Sequence, residues 1–224
     1  MSKNQCTQTD ETAAKRSRGR PCAFDRDHVL QRAMGVFLEQ GFDRTSIALL
    51  GKATGLRPPS LYAAFTNKEK LFLEVLDFYH SPYASKLQQV SDNSLTFHQF
   101  IDQFYSINAK NHVNGSGYGC LITNSTLLCK IESEAVRERL EQIHAFNEQI
   151  IQTRAKRAQD AHDLAPELDL QQLSVFMNCQ VNAAALLHRR ESDSVKVESF
   201  LALAKTATLQ QAYPDRQVAV PCSH

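Results

Sequence analysis

An all-α fold is predicted by three observations. Apolar residues recur at the helical period through most of the chain, no run of alternating apolar and polar residues is bounded by hairpin turns, and capping residues flank the periodic segments. With 224 residues, 42% of them apolar, the chain can build a sizeable core, as one large domain or a small one fused to a larger one. No internal repeat is found, and the run Ala183, Ala184, Ala185 is too short to be low complexity.

The first helix should begin at Asp25, a good N-cap. Leu30, Ala33, Met34 and Phe37 follow as an i, i+3, i+4, i+7 stripe, and Gly41 should stop the helix. Thr45 is expected to cap a shorter second helix with Ile47, Leu50 and Gly51 on one side, broken at Gly55. Pro58 and Pro59 open a third, because the first helical turn has no acceptors for the amides that proline lacks; Leu61, Ala64 and Phe65 form its buried side. Thr66 and Glu69 have capping-box spacing and should start a fourth helix carrying Leu71, Val75, Phe78 and Tyr79 towards Pro82. Two helices joined by a turn at Gly55, the second short and exposed, make a helix-turn-helix arrangement.

Beyond the break at Ser91, Asp92 and Asn93, helices are expected near 94–110, 120–130, 133–162, 169–190 and 194–211. Val136, Leu140, Ile143, Ile150 and Ile151 lie on or near one side of the long one, and Asp169 with Gln172 gives another capping-box spacing. The last two helices are apolar over more than one face and must be covered on both sides, either by a partner subunit in a dimer or within one large core.

Charge is distributed unevenly: residues 1–70 carry a net +5 and the rest −4. A basic N-terminal part suits a polyanion, and also an ordinary solvated face. No stretch approaches the roughly 18 apolar residues of a membrane span, and the polar start has no apolar signal core, so a cytoplasmic protein without membrane partners is expected. The cysteines at 6, 22, 120, 129, 179 and 222 form neither a Cys-x-x-Cys nor a short Cys/His cluster, which points to free thiols and not to zinc or disulfides.

The ordered segments Gly41-Phe42-Asp43-Arg44-Thr45-Ser46-Ile47, Ala53-Thr54-Gly55-Leu56, Ser60-Leu61-Tyr62-Ala63-Ala64-Phe65 and Asn67-Lys68-Glu69-Lys70-Leu71 closely resemble the DNA-binding domain of the TetR/AcrR family. A later segment, Gly119-Cys120-Leu121-Ile122, is similar to the family as well. The resemblance implies a cytoplasmic homodimeric repressor that binds a palindromic operator and leaves it when a small molecule enters the C-terminal domain. Its expected division is a disordered basic arm over 1–22, a helix-turn-helix domain over 23–68, a ligand-binding and dimerisation domain over 69–212 and a disordered tail over 213–224. The chain departs from the family pattern at Leu49 and Gly51, where a polar residue and an alanine are usual, and at Arg57, where a small polar residue is usual.

With Leu61 and Phe65 buried, a rotation of 100° per residue puts Pro59, Tyr62, Ala63 and Thr66 on the DNA side of the third helix, beside Ser60. None has the paired hydrogen-bonding groups of Arg, Asn or Gln. Base reading would rest on contacts of Pro59 and Ala63 with thymine methyls, aided by Arg57 at a guanine. The resemblance implies phosphate contacts for Thr45, Tyr62 and Lys68; Lys68 also stands at a helix N-terminus, whose amides favour anions. Half-buried packing is the alternative role for Tyr62. Upstream, Arg18 and Arg20 flank Gly19 ahead of Pro21, like an AT-hook entering the minor groove or like a plain basic arm.

For the C-terminal half, Asn178 and Asn182 are helical neighbours that could line a ligand cavity among Phe104, Phe146 and Phe176, or form a polar seam between subunits. Cys120 follows a glycine-rich loop at the start of a helix, where it is either a thiol sensor of oxidants or electrophiles or a packed cysteine. Cys129, nine residues on, falls on the opposite face. The histidines at 98, 112, 144, 162 and 188 lack ligand spacing, and no metal or cofactor is implied. No catalytic motif supports an enzyme, and a constitutive DNA-binding protein without effector is the remaining rival.

Overall fold

A computed structural model describes residues 24–113, 118–128 and 132–214. Arg18, Arg20, Cys6, Cys22, Cys129 and Cys222, and with them the expected arm and most of the expected tail, lie outside the described residues. Among those described there are nine α-helices and no strand: α1 Arg26–Arg44, α2 Ile47–Thr54, α3 Pro58–Phe65, α4 Lys68–Asn93, α5 Phe97–Val113, α6 Leu121–Leu128, α7 Glu134–Asp160, α8 Leu170–Glu191 and α9 Ser194–Ala212. None is long and apolar enough to cross a membrane.

Local chemistry explains most ends. Asp25 accepts from the amides of Asp27 and His28, and Asp169 from those of Gln171 and Gln172. Gly55 closes α2 in the left-handed region at φ 73°, and Pro58 opens α3. Gly41, at φ 76° and ψ 168°, is non-helical and breaks the first helix as expected, and a separate short turn beyond the kink carries the α1 range to Arg44.

Two expected caps move by one residue. Ser46, not Thr45, caps α2, accepting from the Leu49 amide at 3.2 Å. Asn67, not Thr66, caps α4, accepting from the Lys70 amide at 2.7 Å, while Thr66 turns the corner at φ 66°. Helix α4 also continues past Pro82. Proline removes one helical hydrogen bond, but buried Val75 and Leu76 before it and Leu87 and Val90 after it hold both halves in place.

Two cores share the long helices. The first joins Phe37 of α1, Leu50 of α2, Leu61 and Phe65 of α3 and Phe72 of α4 to Leu121 of α6 and Val136 and Ile143 of α7. The second gathers Leu87 of α4, Phe97, Phe100 and Phe104 of α5, Ile151 of α7, Met177 of α8 and Leu201 of α9. Helices α4 and α7 thus run through both. Gly51 has a packing reason: a Cβ there would stand 2.9 Å from the Leu56 carbonyl oxygen, so glycine lets the turn after α2 close against it.

Candidate functional site

Helix α3 buries Leu61 and Phe65 and leaves Arg57, Pro59, Ser60, Tyr62, Ala63 and Thr66 exposed. Tyr62 is 49% accessible, so about half of it is open to solvent while the rest packs within the helix-turn-helix. The outward side of α3 is uncharged and small except for Tyr62, with the Arg57 guanidinium at its start. Arg44, Lys52 and Lys70 are exposed on α1, α2 and α4.

Two residues expected at phosphates are engaged elsewhere. Thr45 is only 2% exposed, and its hydroxyl donates to the Gly41 carbonyl at 2.6 Å, which withdraws it from the surface. Lys68 is half-buried; its ammonium donates to the Phe42 carbonyl at 2.8 Å and lies 4.4 Å from the Phe42 ring centroid. That cation satisfies a carbonyl in the last turn of α1, at the negative end of its dipole, and ties α1 to the start of α4.

A cavity of about 640 Å³ opens between α1, α4, α5, α6, α7 and α8. Cys120, Asn178 and Asn182 line it. The three expected phenylalanines are not in its wall. Phe104 is fully buried in the second core against Phe100 and Tyr105, Phe176 lies on the exposed side of α8 beside Val175, and Phe146 meets His80 edge-on at 5.8 Å with its own ring partly exposed. Cys120 is half-buried and stands just before α6, its carbonyl accepting from the Asn124 amide at 2.8 Å, so it occupies the capping position and not the first turn.

Missing from the sequence expectation are Gln31, Met34 and Leu38 of α1, Tyr79, Tyr83 and Lys86 of α4, Asn108 of α5, Thr123 of α6 and Asn147 of α7. The signal that could have found some of them is a lone asparagine inside an apolar stripe: Asn108 continues Ile101 and Phe104, and Asn147 continues Leu140 and Ile143.

Many of the polar wall groups are already paired. The Thr123 hydroxyl donates to Asn182 Oδ1 at 2.9 Å, Asn108 Nδ2 donates to the Phe104 carbonyl at 2.8 Å, and His80 Nε2 meets Asn147 Oδ1 at 3.1 Å. Asn178 Nδ2 is buried without a protein partner. Burial, and then the adjoining Cys120 thiol, push the Tyr79 hydroxyl well above its usual range; burial pushes Tyr83 up to about 12. Both phenols therefore stay protonated and can donate.

Burial holds His80 and His144 below the ordinary imidazole value of 6.5; for His80 the Asn147 carbonyl partly opposes this, and the Arg139 charge adds to it. The unfolded chain then takes up these protons first as pH falls, so the stability conferred by neutral imidazoles is present above about pH 6.5 and is lost below it. A urea midpoint measured near pH 5.5 should be lower than one near pH 7.5, and His80→Gln should narrow that difference. An unchanged difference in the variant would place the protonation elsewhere.

The cavity wall reaches the unit of α1, α2 and α3 directly, through Gln31, Met34 and Leu38 of α1. Arg189 of α8 adds a clasp: its guanidinium donates to the Leu38 carbonyl of α1 at 3.3 Å and to the Tyr118 carbonyl at 3.1 Å. Gly119, at φ 79°, lets that loop lie on α8, since a Cβ would stand 3.0 Å from the Ala185 carbonyl oxygen and 3.1 Å from Arg189 Cβ. No group of three His, Cys, Asp or Glu among the described residues converges as a metal site.

Comparison with known proteins identifies the class. Residues 29–75 match the family described as bacterial regulatory proteins, tetR family, and residues 97–203 match the tetracyclin repressor-like C-terminal domain. The chain belongs to the TetR family. Among its relatives is the HTH-type transcriptional repressor ComR of Escherichia coli K12, 33% identical over 201 residues, which are 88% of this chain and 94% of ComR. A shorter match, 32% over 105 residues, covers 46% of the chain and 53% of the repressor BdcR from the same organism. In structure, this TetR-family chain is similar to a cysteine-substituted form of the regulator CifR complexed with 26-base-pair double-strand operator DNA, with 31% identity, a TM-score of 0.75, and coverage of 84% of this chain and 99% of that one. A TetR regulator from Chloroflexus aurantiacus, at 21% identity and TM-score 0.74, covers 83% of this chain and 94% of that one and shares the fold.

Proposed function

We propose that this chain is a homodimeric transcriptional repressor that binds a palindromic operator through α2 and α3 and releases it when a small molecule fills the cavity. The observation that carries this reading is that Gln31, Met34 and Leu38 of α1, the helix that supports α2, form part of the cavity wall. A ligand there touches the DNA-binding unit itself, so its binding free energy can differ between the DNA-bound and free arrangements, which is the requirement for a linked switch. The operator-bound CifR structure and the repressors ComR and BdcR support the DNA half of the proposal.

Dimerisation is assigned to the outward faces of α8 and α9. Val175, Phe176, Cys179 and Ala183 are exposed on the first; Val195 and Leu203, each 69% accessible, are exposed on the second. Apolar side chains grouped on two neighbouring helices suit an isologous interface. Sedimentation at micromolar concentration should give a dimer, and footprinting on the DNA that the protein selects should protect two related half-sites. A monomer, or a single asymmetric half-site, would refute the proposal.

A covalent effector is a second reading, favoured by the position of Cys120 in the cavity wall against Tyr79. It is told apart by release of DNA that survives dialysis of an electrophile and is lost in Cys120→Ser.

A further inference from the structure

The charge of the cavity wall narrows the ligand. Among the described side chains that form it, Lys86 is the one lysine or arginine, and there is no aspartate or glutamate. Lys86 is exposed, so it stands where the cavity meets solvent, and it makes no ion pair or hydrogen bond with the described residues. Tyr79, Tyr83 and Lys86 follow one another at i, i+4 and i+7, which places the ammonium on the same stripe of α4 as the two phenols.

The carboxylates in the next layer do not compensate this charge inside the cavity. Asp77 is paired with Arg139 at 2.6 Å, and Glu148 acts on His144 without forming part of the wall. An orphaned donor points the same way. Asn178 Nδ2 is buried and unpartnered, and a buried donor left without an acceptor is costly, a cost that a ligand acceptor would recover. Met34, Leu38, Ile107, Ile122 and Val181 supply the apolar surface between these groups.

We propose that the cavity takes a small organic anion, an apolar body ending in a carboxylate or similar acid group, with the acid group paired to Lys86 and the body against α1 and α8. This rests on the cavity being the effector site. A cation is disfavoured because Lys86 repels it and no acidic side chain among the described wall residues could neutralise it. A neutral analogue keeps the apolar contacts and forgoes the ion pair with the exposed Lys86 ammonium, a loss of about several-fold in affinity.

The test uses the full-length protein and three probes with one body: phenylbutyrate, phenylbutanol and phenylbutylamine, titrated calorimetrically. The acid should bind about several-fold tighter than the alcohol, and the amine weakest of all. In Lys86→Met the advantage of acid over alcohol should disappear, whereas Lys86→Arg should keep it, a contrast that a merely structural lysine would not give. Equal or tighter binding of the alcohol or amine, an acid preference that survives in Lys86→Met, or no binding of any probe at millimolar concentration would each overturn the proposal. Operator release, measured separately by anisotropy, distinguishes the two readings. If the acid binds through Lys86 but leaves DNA bound, the effector reading of the cavity fails and the ligand class stands.

Discussion

Replacing Ala63 by glutamate should lower operator affinity by at least about a hundredfold, because a like-charge contact at an interface costs several kcal/mol and every 1.4 kcal/mol is tenfold. Ala63 is exposed on α3 beside Tyr62, on the side opposite buried Leu61 and Phe65. On the proposed reading that side enters the major groove, where a carboxylate would face the bases between two rows of phosphates and could pair only with a cytosine amino group at one position. The same change should leave folding almost untouched, within about 0.5 kcal/mol, since the side chain has room and buries nothing. Fluorescence anisotropy with the selected operator at fixed salt, beside a urea titration of the same samples, reads both quantities. A variant that binds as tightly as the parent would remove α3 from the interface.

The exposed face of α3 was legible in the sequence because it follows from periodicity alone: once two apolar residues of a short helix are inside, the rest of its wheel is fixed. The roles of Thr45 and Lys68 were not, because both depend on how α1 ends. Gly41 breaks the helical backbone but one more turn follows, and this brings the Gly41 carbonyl to the Thr45 hydroxyl and the Phe42 carbonyl and ring to the Lys68 ammonium. A polar residue near a helix terminus can serve the backbone or a ligand equally well, and only the path of the chain decides. The shifted caps at Ser46 and Asn67 have the same origin, since neighbouring hydroxyl and amide side chains compete for the same free amides.

The cavity was half legible. Asn178 and Asn182 stand out as polar positions on an apolar helix, and the structure puts both in the wall. Choosing Phe104 as a companion failed because aromatic side chains fill cores first: Phe97, Phe100 and Phe104 stack along one side of α5 and seal the second core, leaving Asn108 and Ile107 to face the open space. The contribution of α1 is a contact between segments more than forty residues apart in sequence from α4 and farther from α8, and no local pattern encodes it.

Phe72→Ala should cost about 3–5 kcal/mol of folding stability, the range for removing a buried phenylalanine ring. Phe72 has no solvent exposure and lies 4.6 Å from the Phe37 ring centroid and 4.9 Å from that of Phe42, so its ring packs against α1 on both sides of the Gly41 kink. The neighbouring Lys68 clasp depends on the same ring of Phe42. Against a typical total of 5–15 kcal/mol this loss is a large share, and it falls on the corner where the DNA-reading helices meet α4. Operator affinity should therefore drop even under conditions where the variant is mainly folded, because α1 loses the surface that sets its angle to α4. Phe104→Ala provides the comparison: an equally buried ring in the second core, with a similar expected loss in urea but no direct contact with α1. If the two variants lose operator affinity in equal measure at matched folded fraction, the corner at Phe72 has no special part in holding the DNA-binding unit, and the two cores act as one.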